Sequence, residues 1–415
     1  MAVDHSLSAR PAVAAALKAV MENKHQVRRR CFFSSLFAAL VFATPLWSAE
    51  VTMTPLLSFG NGDGWLAPDE PNTPTGDPNL YLSSANNERG IAYDAATAHL
   101  YLASRGNSSF GVRILNAITG EDVGSLNADP AVINGGTFPL NMVAVGADGA
   151  IYAANLTTSI TTSPFKVYKW ENELAAPSVV FDSLANGPPV QAALRVGDSL
   201  DVFGAGLQGR IVAGYGANAA IPESNGYAII DPNTNIATNV AFTGTEPATG
   251  DFQLGITFTD SDSVIGTRGG GPVRLTSFSG GTGTLDATFA LASVSERPMD
   301  YAVVGGIPLL ATVETGASAN ASTVRVYDMT NPSTPVLSNS AKIALTANAN
   351  INGSGRVSWG PVTGNTATLY AMNTNNGIQA FTITVPEPSV AAGLIIGAIA
   401  LFGARRVRQN GMMPG

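Results

Sequence analysis

The chain has 415 residues, of which 45% are apolar and 13% are charged, and its formal net charge is −8. Residues 50–388 are more acidic, because 13 basic residues are set against 28 acidic ones there, giving a charge near −15. This charge excludes nucleic acid and acidic polymers as partners held by simple electrostatics, and it favours cations or neutral ligands. A solvated secreted surface is the simpler explanation of the same charge.

The first element in chain order is an apolar run at residues 31–43, which follows the basic residue Lys24 and the arginines at 28–30. A basic stretch, a short apolar run and small residues at the cut are the layout of a secretory signal peptide. The sequence therefore predicts export, with cleavage after Ser48 or Ala49.

The start of this leader has two readings. Counting from Met21 gives a leader of ordinary length, so we assign the signal peptide to residues 21–49 and interpret residues 1–20 as an over-extended start. The arginines at 29–30 also resemble a twin-arginine export signal. We favour the general secretory route, because Arg28 stands where that signal usually has Ser or Thr.

Cysteine and histidine are scarce once the leader is removed. Cys31 is the only cysteine, so the mature protein has no disulfide and no thiol nucleophile. His99 is the only histidine beyond the leader. A Ser-His-Asp triad or a multi-histidine metal site would rest on His99 alone. We interpret it as an ordinary strand-end residue.

The body is rich in Gly, Asn, Thr, Ser and Ala and has no long helical spacing of apolar residues, which predicts short strands separated by turns. One phrase, a short strand followed in most instances by a polar turn, recurs six times at intervals of 46 to 60 residues. Its instances begin at Val112, Val167, Tyr227, Val273, Val324 and Ile378.

Two further phrases precede this one in the repeat. A strand ending in small residues, such as 100–103 or 151–154, is interpreted as the inner strand around a central axis. Another strand lies upstream of it, for example at 90–93 and 356–359. Four strands per unit, repeated six times at about fifty residues, predict an all-β fold, a β-propeller over residues 50–385.

The sequence also predicts how the ring closes. The last unit ends after three strands at Thr384, and residues 51–59 are expected to supply the fourth, which protects the edges of the sheet. A stack of β-sandwich domains is the alternative fold. Seven blades instead of six would require a short blade within residues 61–82, whose Pro and Gly density favours a loop.

Residues 89–126, "RGIAYDAATAHLYLASRGNSSFGVRILNAITGEDVGSL", resemble one blade of the NHL-like, YVTN-like and lactonase-like propellers. The whole body is similar to uncharacterised propeller domains of exported bacterial proteins. This resemblance implies a fold and says little about activity.

The C-terminus resembles the PEP-CTERM sorting signal over residues 386–410, followed by a tail at 411–415. Its parts are the motif Val385, Pro386, Glu387 and Pro388, an apolar helix from Val390 to Ala404, and the basic cluster Arg405, Arg406 and Arg408. The resemblance implies a Gram-negative bacterium and an exosortase-type enzyme that processes the protein and delivers it to the surface or matrix.

The apolar segment of this signal has fifteen residues, fewer than the roughly 17 to 25 that a spanning helix needs. We interpret it as a transient anchor in the inner membrane, with its arginines on the cytoplasmic side.

Acidic and amide side chains near predicted strand ends are the candidates for a metal site like that of lactonase-like propellers. They are Glu88, Asp94, Asn141, Asp198, Asp251, Glu296 and Asp300. The sequence does not say which of them converge, and a surface carboxylate is the default reading. The Gly-rich runs at 269–271 and 280–283 lack the Gly-Lys-Ser/Thr of a phosphate loop and are interpreted as turns.

Two functions follow from these observations. The first is a non-catalytic, exported propeller that works at the cell surface or in the matrix, with no cofactor, and contacts exopolysaccharide or a surface protein. The alternative is a metal-dependent extracellular hydrolase of the lactonase type, which would need a divalent cation such as calcium.

Overall fold

The computed structural model describes residues 50–73, 75–76, 79–106, 110–187 and 194–387 of the chain. These residues form 25 strands and two short 3₁₀ helices, Gly206–Gln208 and Pro222–Asn225. The proposed cleavage residues Ser48 and Ala49 lie outside the described part. So do Pro388, Val390, Ala404 and the arginines of the basic cluster.

The chain begins with β1 (Thr52–Pro55) and β2 (Trp65–Leu66), and then forms the blades one after another. The first blade contains β3 (Glu88–Asp94), β4 (His99–Ser104), β5 (Gly111–Asn116) and β6 (Asp122–Ser125). The second contains β7 (Phe138–Val145), β8 (Ile151–Leu156), β9 (Lys166–Trp170) and β10 (Ser178–Asp182). The third contains β11 (Val196–Phe203), β12 (Arg210–Tyr215), β13 (Tyr227–Asp231) and β14 (Ile236–Val240).

The remaining blades follow the same order. The fourth contains β15 (Gly255–Asp260), β16 (Ser263–Thr267), β17 (Val273–Ser279) and β18 (Thr282–Phe289). The fifth contains β19 (Glu296–Val304), β20 (Ile307–Glu314), β21 (Val324–Asp328) and β22 (Val336–Ala341). The sixth contains β23 (Gly355–Thr363), β24 (Thr366–Asn373) and β25 (Ile378–Thr384).

The ring closes through its N-terminal strand, which confirms the prediction. β1 pairs antiparallel with β25, with Thr52 opposite Thr384, and is the outermost strand of the sixth blade. β2 also pairs with β25. Within the described residues, the segment 61–82 contributes only this two-residue strand, so the propeller has six blades.

The prediction of the innermost strands was wrong. The first strand of each blade, and not the second, lies against the corresponding strands of its neighbours and lines the central channel. Second strands such as β4 and β8 lie one position further out in their sheets. Their small residues have a different cause. Ala103 and Ala153 pack in one cluster with Tyr168 and Trp170, so a small side chain leaves room for the large rings between the blades.

In the described residues the core consists of six apolar clusters, one between each pair of adjacent blades. The N-terminal segment reaches two of them, because Val51 belongs to the cluster between the fifth and sixth blades and Phe59 to the one between the sixth and first. Both side chains are fully buried. Closure of the ring therefore rests on buried apolar contacts as well as on strand pairing.

Candidate functional site

A pocket opens at the end of the central channel where the inner strands finish. Its volume is about 380 Å³, and all six inner strands contribute to its wall. The aromatic side chains of the wall are Tyr93, Phe203, Phe258, Tyr301 and Trp359. The polar side chains are Asp201, Thr257, Thr259, Asp300, Arg356 and Ser358. The pocket therefore combines aromatic side chains with a compact group of charged and hydroxyl groups.

Asp201 and Arg356 form an ion pair in this pocket. Arg356 Nη2 donates to Asp201 Oδ1 at 2.6 Å, and Arg356 Nη1 donates to the carbonyl oxygen of Ile256 at 3.0 Å. The two side chains are 14% and 8% exposed respectively, so water screens the pair only weakly. β11 and β23 supply the partners, and the pair joins the third blade to the sixth.

Thr257 places its hydroxyl between two carboxylates. Thr257 Oγ1 lies 3.1 Å from Asp201 Oδ2 and 3.1 Å from Asp300 Oδ1. A hydroxyl has one proton to donate, so it serves one carboxylate at a time. The remaining contact becomes a hydrogen bond when the other carboxyl group is protonated and donates to Thr257. The side chains of Asp201, Thr257 and Asp300 thus form a hydrogen-bonded series that can share one proton.

Asp300 has a raised pKa. The pKa of this carboxyl group is raised to about 6, mainly by burial; the charge of Arg356 opposes the shift and the charge of Asp201 contributes to it. Backbone amides hold the carboxylate in place, because Trp359 N donates to Oδ2 at 2.8 Å and Tyr301 N to Oδ1 at 2.9 Å. Asp300 therefore changes its charge close to neutral pH.

Of the seven acidic and amide candidates from the sequence, only Asp300 lies in the pocket. Three others lie among the first three residues of inner strands, at the opposite end of the channel, and have separate partners. Glu88 accepts from the amide of Asn375, Asp198 pairs with Arg195, and Glu296 accepts from the Tyr327 hydroxyl at 2.8 Å. These three residues therefore do not converge with Asp300.

The other candidates also have local partners. Asp94 accepts from Ala96 N at 2.8 Å in a hairpin turn, and Asn141 donates to Gly197 O at 2.7 Å. Asp251 pairs with Arg274 at 2.9 Å. His99 starts β4, as predicted for a strand-end residue, and its Nδ1 lies 2.6 Å from Glu173 Oε1.

Asp201 and Arg356 are the site residues that sequence reasoning missed. Both have an apolar neighbour on each side in an inner strand, in "SLDVF" and "GRVSW", where Arg356 follows Gly355. A charged residue within a strand that is otherwise apolar is a signal for a buried pair, since an unpaired charge would be costly there. That signal was present in the sequence.

The parts of the chain that the structure describes contain no group of three or more His, Cys, Asp or Glu side chains that could bind a metal ion. In the pocket, only Asp201 and Asp300 are carboxylates.

The segment that resembles a sorting motif begins where the chain leaves the propeller. Val385 is buried and its amide donates to Asn365 O at 2.8 Å, whereas Pro386 and Glu387 are exposed. No helix in the described part of the chain has the length and apolar character that crossing a membrane requires.

Comparison with solved structures finds propellers of low sequence identity. A DUF4623 family protein from Bacteroides eggerthii is 18% identical, with a TM-score of 0.55 over 73% of this chain and 72% of that one. A gluconolactonase from Xanthomonas campestris is 13% identical, with a TM-score of 0.42 over 82% and 96% of the two chains. A luciferin-regenerating enzyme is 12% identical, with a TM-score of 0.42 over 74% and 92%.

At these identities the likeness concerns the fold alone. The comparison with curated proteins finds no match. The family described as "Domain of unknown function (DUF4623)" matches residues 73–373, which span five complete blades and the two inner strands of the sixth. The chain therefore belongs to the DUF4623 family and folds as a six-bladed β-propeller.

Proposed function

We propose that this propeller is a non-catalytic binding protein of the bacterial cell surface or extracellular matrix. Its ligand is a neutral, polyhydroxylated molecule such as a segment of exopolysaccharide. The observation that carries the proposal is the pocket at the end of the channel, where five aromatic residues share the wall with the group formed by Asp201, Thr257, Asp300 and Arg356.

The chemistry of the pocket suits sugar rings. Aromatic faces offer apolar contact to the C–H faces of a sugar, and carboxylates accept hydrogen bonds from its hydroxyl groups. Each oxygen of Asp201 and Asp300 has two lone pairs, so both carboxylates keep acceptor capacity beyond their protein partners. The volume of about 380 Å³ is that of a small-molecule site.

Hydrogen-bond donors are available on the same wall. Ser358 Oγ accepts from Tyr93 N at 3.0 Å, which leaves the hydroxyl proton of Ser358 for a ligand. Arg356 neutralises Asp201, so the pocket carries less charge than the acidic body around it. A neutral ligand with many hydroxyl groups fits this balance better than a polyanion.

The ends of the chain support the cellular part of the proposal. The basic and apolar leader at residues 21–49 is typical of export, and the C-terminal segment resembles a sorting signal read by an exosortase-type enzyme. Exposure of Pro386 and Glu387 directly after the last buried residue makes the motif accessible to such an enzyme. Transient anchoring in the inner membrane of a Gram-negative bacterium would precede delivery.

A metal-dependent hydrolase is the second candidate. Asp201 and Asp300 form a carboxylate pair that shares Thr257, and a pKa of about 6 suits Asp300 for proton transfer. A metal-dependent hydrolase needs a set of side chains that bind the cation. The described residues contain no group of three or more metal-binding side chains, which counts against this function. The binding function requires no such set.

The test measures binding and turnover together. Neutral oligosaccharides of four to six sugars, cut from bacterial exopolysaccharide, are titrated into the purified full chain by calorimetry, and the products are analysed by chromatography. Binding without turnover, weakened about tenfold by Asp300→Asn and unchanged by Asp286→Asn, supports the proposal. Asp286 is the matched control because it is exposed on the outer strand β18. Turnover that depends on added calcium supports the hydrolase.

The localisation is tested separately. Deleting residues 386–408 should leave a folded propeller that is released from the cell or misplaced, as seen by fractionation. Unchanged retention at the surface contradicts the sorting role of this segment and leaves the binding result untouched.

A further inference from the structure

A second polar region lies at the other end of the channel, where the inner strands begin. Arg89 is the second residue of β3 and Arg297 is the second residue of β19, so the two flank the sixth blade. Neither forms an ion pair with a carboxylate in the described ranges of the chain. Two arginines without a counter-charge stand out in so acidic a body.

Arg89 is buried, with 2% of its surface exposed. Its guanidinium group forms a hydrogen bond on one side only among the described residues. Its Nη1 donates to Ser354 Oγ. Its Nε and Nη2 are buried and have no hydrogen-bond partner among the described residues. Burying such donors without a partner is unfavourable, so an unbonded guanidinium edge in a folded protein calls for an explanation.

The unbonded edge has a specific geometry. The Nε–H and one Nη2–H of a guanidinium are parallel donors on the same side, and they match the two oxygens of a carboxylate or of a phosphate. Since Nη1 is held by Ser354, the orientation of this edge is fixed in advance. Fixing a donor pair beforehand lowers the entropy lost on binding.

Arg297 lies against Gly353, the residue that precedes Ser354. A side chain at Gly353 would overlap it, because a Cβ built there lies 1.6 Å from Arg297 Nη1. Gly353 also has a φ of +62°, which favours glycine. Since Ser354 follows Gly353 in the chain, Arg89 and Arg297 both reach this dipeptide. The Nε of Arg297 is buried and without a partner as well.

We propose that Arg89 and Arg297 form a binding site for the oxyanion group of a small ligand, at the end of the channel opposite the Asp201–Arg356 pocket. The acidic residues that precede the two arginines in the sequence have other partners, because Glu88 accepts from the amide of Asn375 and Glu296 accepts from the Tyr327 hydroxyl. The overall negative charge of the protein opposes long-range attraction of anions. Recognition therefore depends on direct hydrogen bonds from the two guanidinium groups.

The experiment uses the purified full chain with two probes, inorganic phosphate and acetate, at constant ionic strength set with sodium chloride. Saturable binding is measured by the broadening of the phosphate ³¹P signal and by the rise in Tm with each probe. We expect saturation by at least one probe, and binding about tenfold weaker in Arg89→Lys, which keeps the charge and loses the donor fork. Arg297→Lys should weaken binding in the same direction.

Two controls separate this site from others. Arg210→Lys should bind like the wild type, because Arg210 donates to Ser261 O on the protein surface. Asp300→Asn alters the pocket and should leave oxyanion binding unchanged. The stronger of the two probes distinguishes a phosphorylated from a carboxylated ligand.

Absence of saturable binding by both probes overturns the proposal, as does equal binding by wild type, Arg89→Lys and Arg297→Lys. If Arg89→Lys fails to fold, as judged by circular dichroism, then the wild type and Arg297→Lys decide the outcome.

Discussion

Arg356 donates to Asp201 at 2.6 Å, although the two residues are 155 positions apart in the sequence. They lie on the inner strands of the sixth and third blades, which stand opposite each other in the ring. Arg356 also donates to the carbonyl of Ile256 in the fourth blade. One side chain thus links three blades across the channel.

Arg356→Met should destabilise the protein strongly, because it leaves the carboxylate of Asp201 buried without its counter-charge. We expect a loss of about 3–5 kcal/mol in the free energy of unfolding. Urea unfolding followed by tryptophan fluorescence measures it. The double variant Asp201→Leu with Arg356→Met removes both charges and should recover most of the loss. Equal stability of the single variant and the wild type would contradict a structural role for the pair.

Asp300 should make the protein less stable as the pH rises from about 4 to about 6. Its pKa is raised to about 6 from 3.8, so the folded state binds the proton more tightly than the unfolded state. The stabilisation is therefore complete below the unfolded pKa and is lost as the pH passes the folded pKa. Asp300→Asn should flatten this part of the stability curve, measured by urea unfolding at several pH values. Asp286→Asn, on the exposed outer strand, should leave the slope unchanged.

Glu88 should add a second loss of stability at higher pH. Burial raises the pKa of Glu88 to about 7 from 4.5, and the amides of Asn375 and Ser83 oppose the shift. The same sign applies, so the stability that depends on this proton is lost between about pH 5 and pH 7. Glu88→Gln should remove this pH-dependent loss of stability and keep the loss assigned to Asp300. A stability curve that Glu88→Gln leaves unchanged would assign the titration to another group.

Phe59→Ala should weaken the closure of the ring. Phe59 is fully buried and packs against Tyr370, with ring centroids 5.8 Å apart. We expect a loss of about 3–5 kcal/mol, since truncation leaves a cavity between the sixth and first blades. Leu57→Ala is the matched control, because Leu57 is 64% exposed and its truncation should change stability by less than about 0.5 kcal/mol. Thermal unfolding and gel filtration compare the two.

Much of the fold could be predicted because its signals are local. The third strand of every blade begins at or next to the residue predicted for it, as Val273 and Ile378 illustrate. The end of the last strand at Thr384 and the closure by β1 were predicted as well. Alternation within a strand and turn residues after it are properties of a few neighbouring residues, so a repeat makes them visible.

The order of the strands within each blade, counted outwards from the central axis, was harder to predict from the sequence. Small residues in β4 and β8 suggested the inner position, but they leave room for Tyr168 and Trp170 between blades. The size of a side chain indicates how much space its position has, but it does not identify the neighbouring residues that limit this space. The direction of each sheet relative to the axis is decided by blade-to-blade packing.

The repeated blade, the closing strand and the scarcity of catalytic residue types can all be recognised without a structure. Which charges meet depends on the folded ring. Bulges interrupt the inner strands between Val196 and Leu200 and between Glu296 and Met299. A bulge shifts the alternation of side chains between the two faces of a strand. Counting from the first residue of the strand therefore does not predict the face on which Asp201 or Asp300 lies. Ring closure then brings these residues to Arg356, a contact that no local pattern encodes.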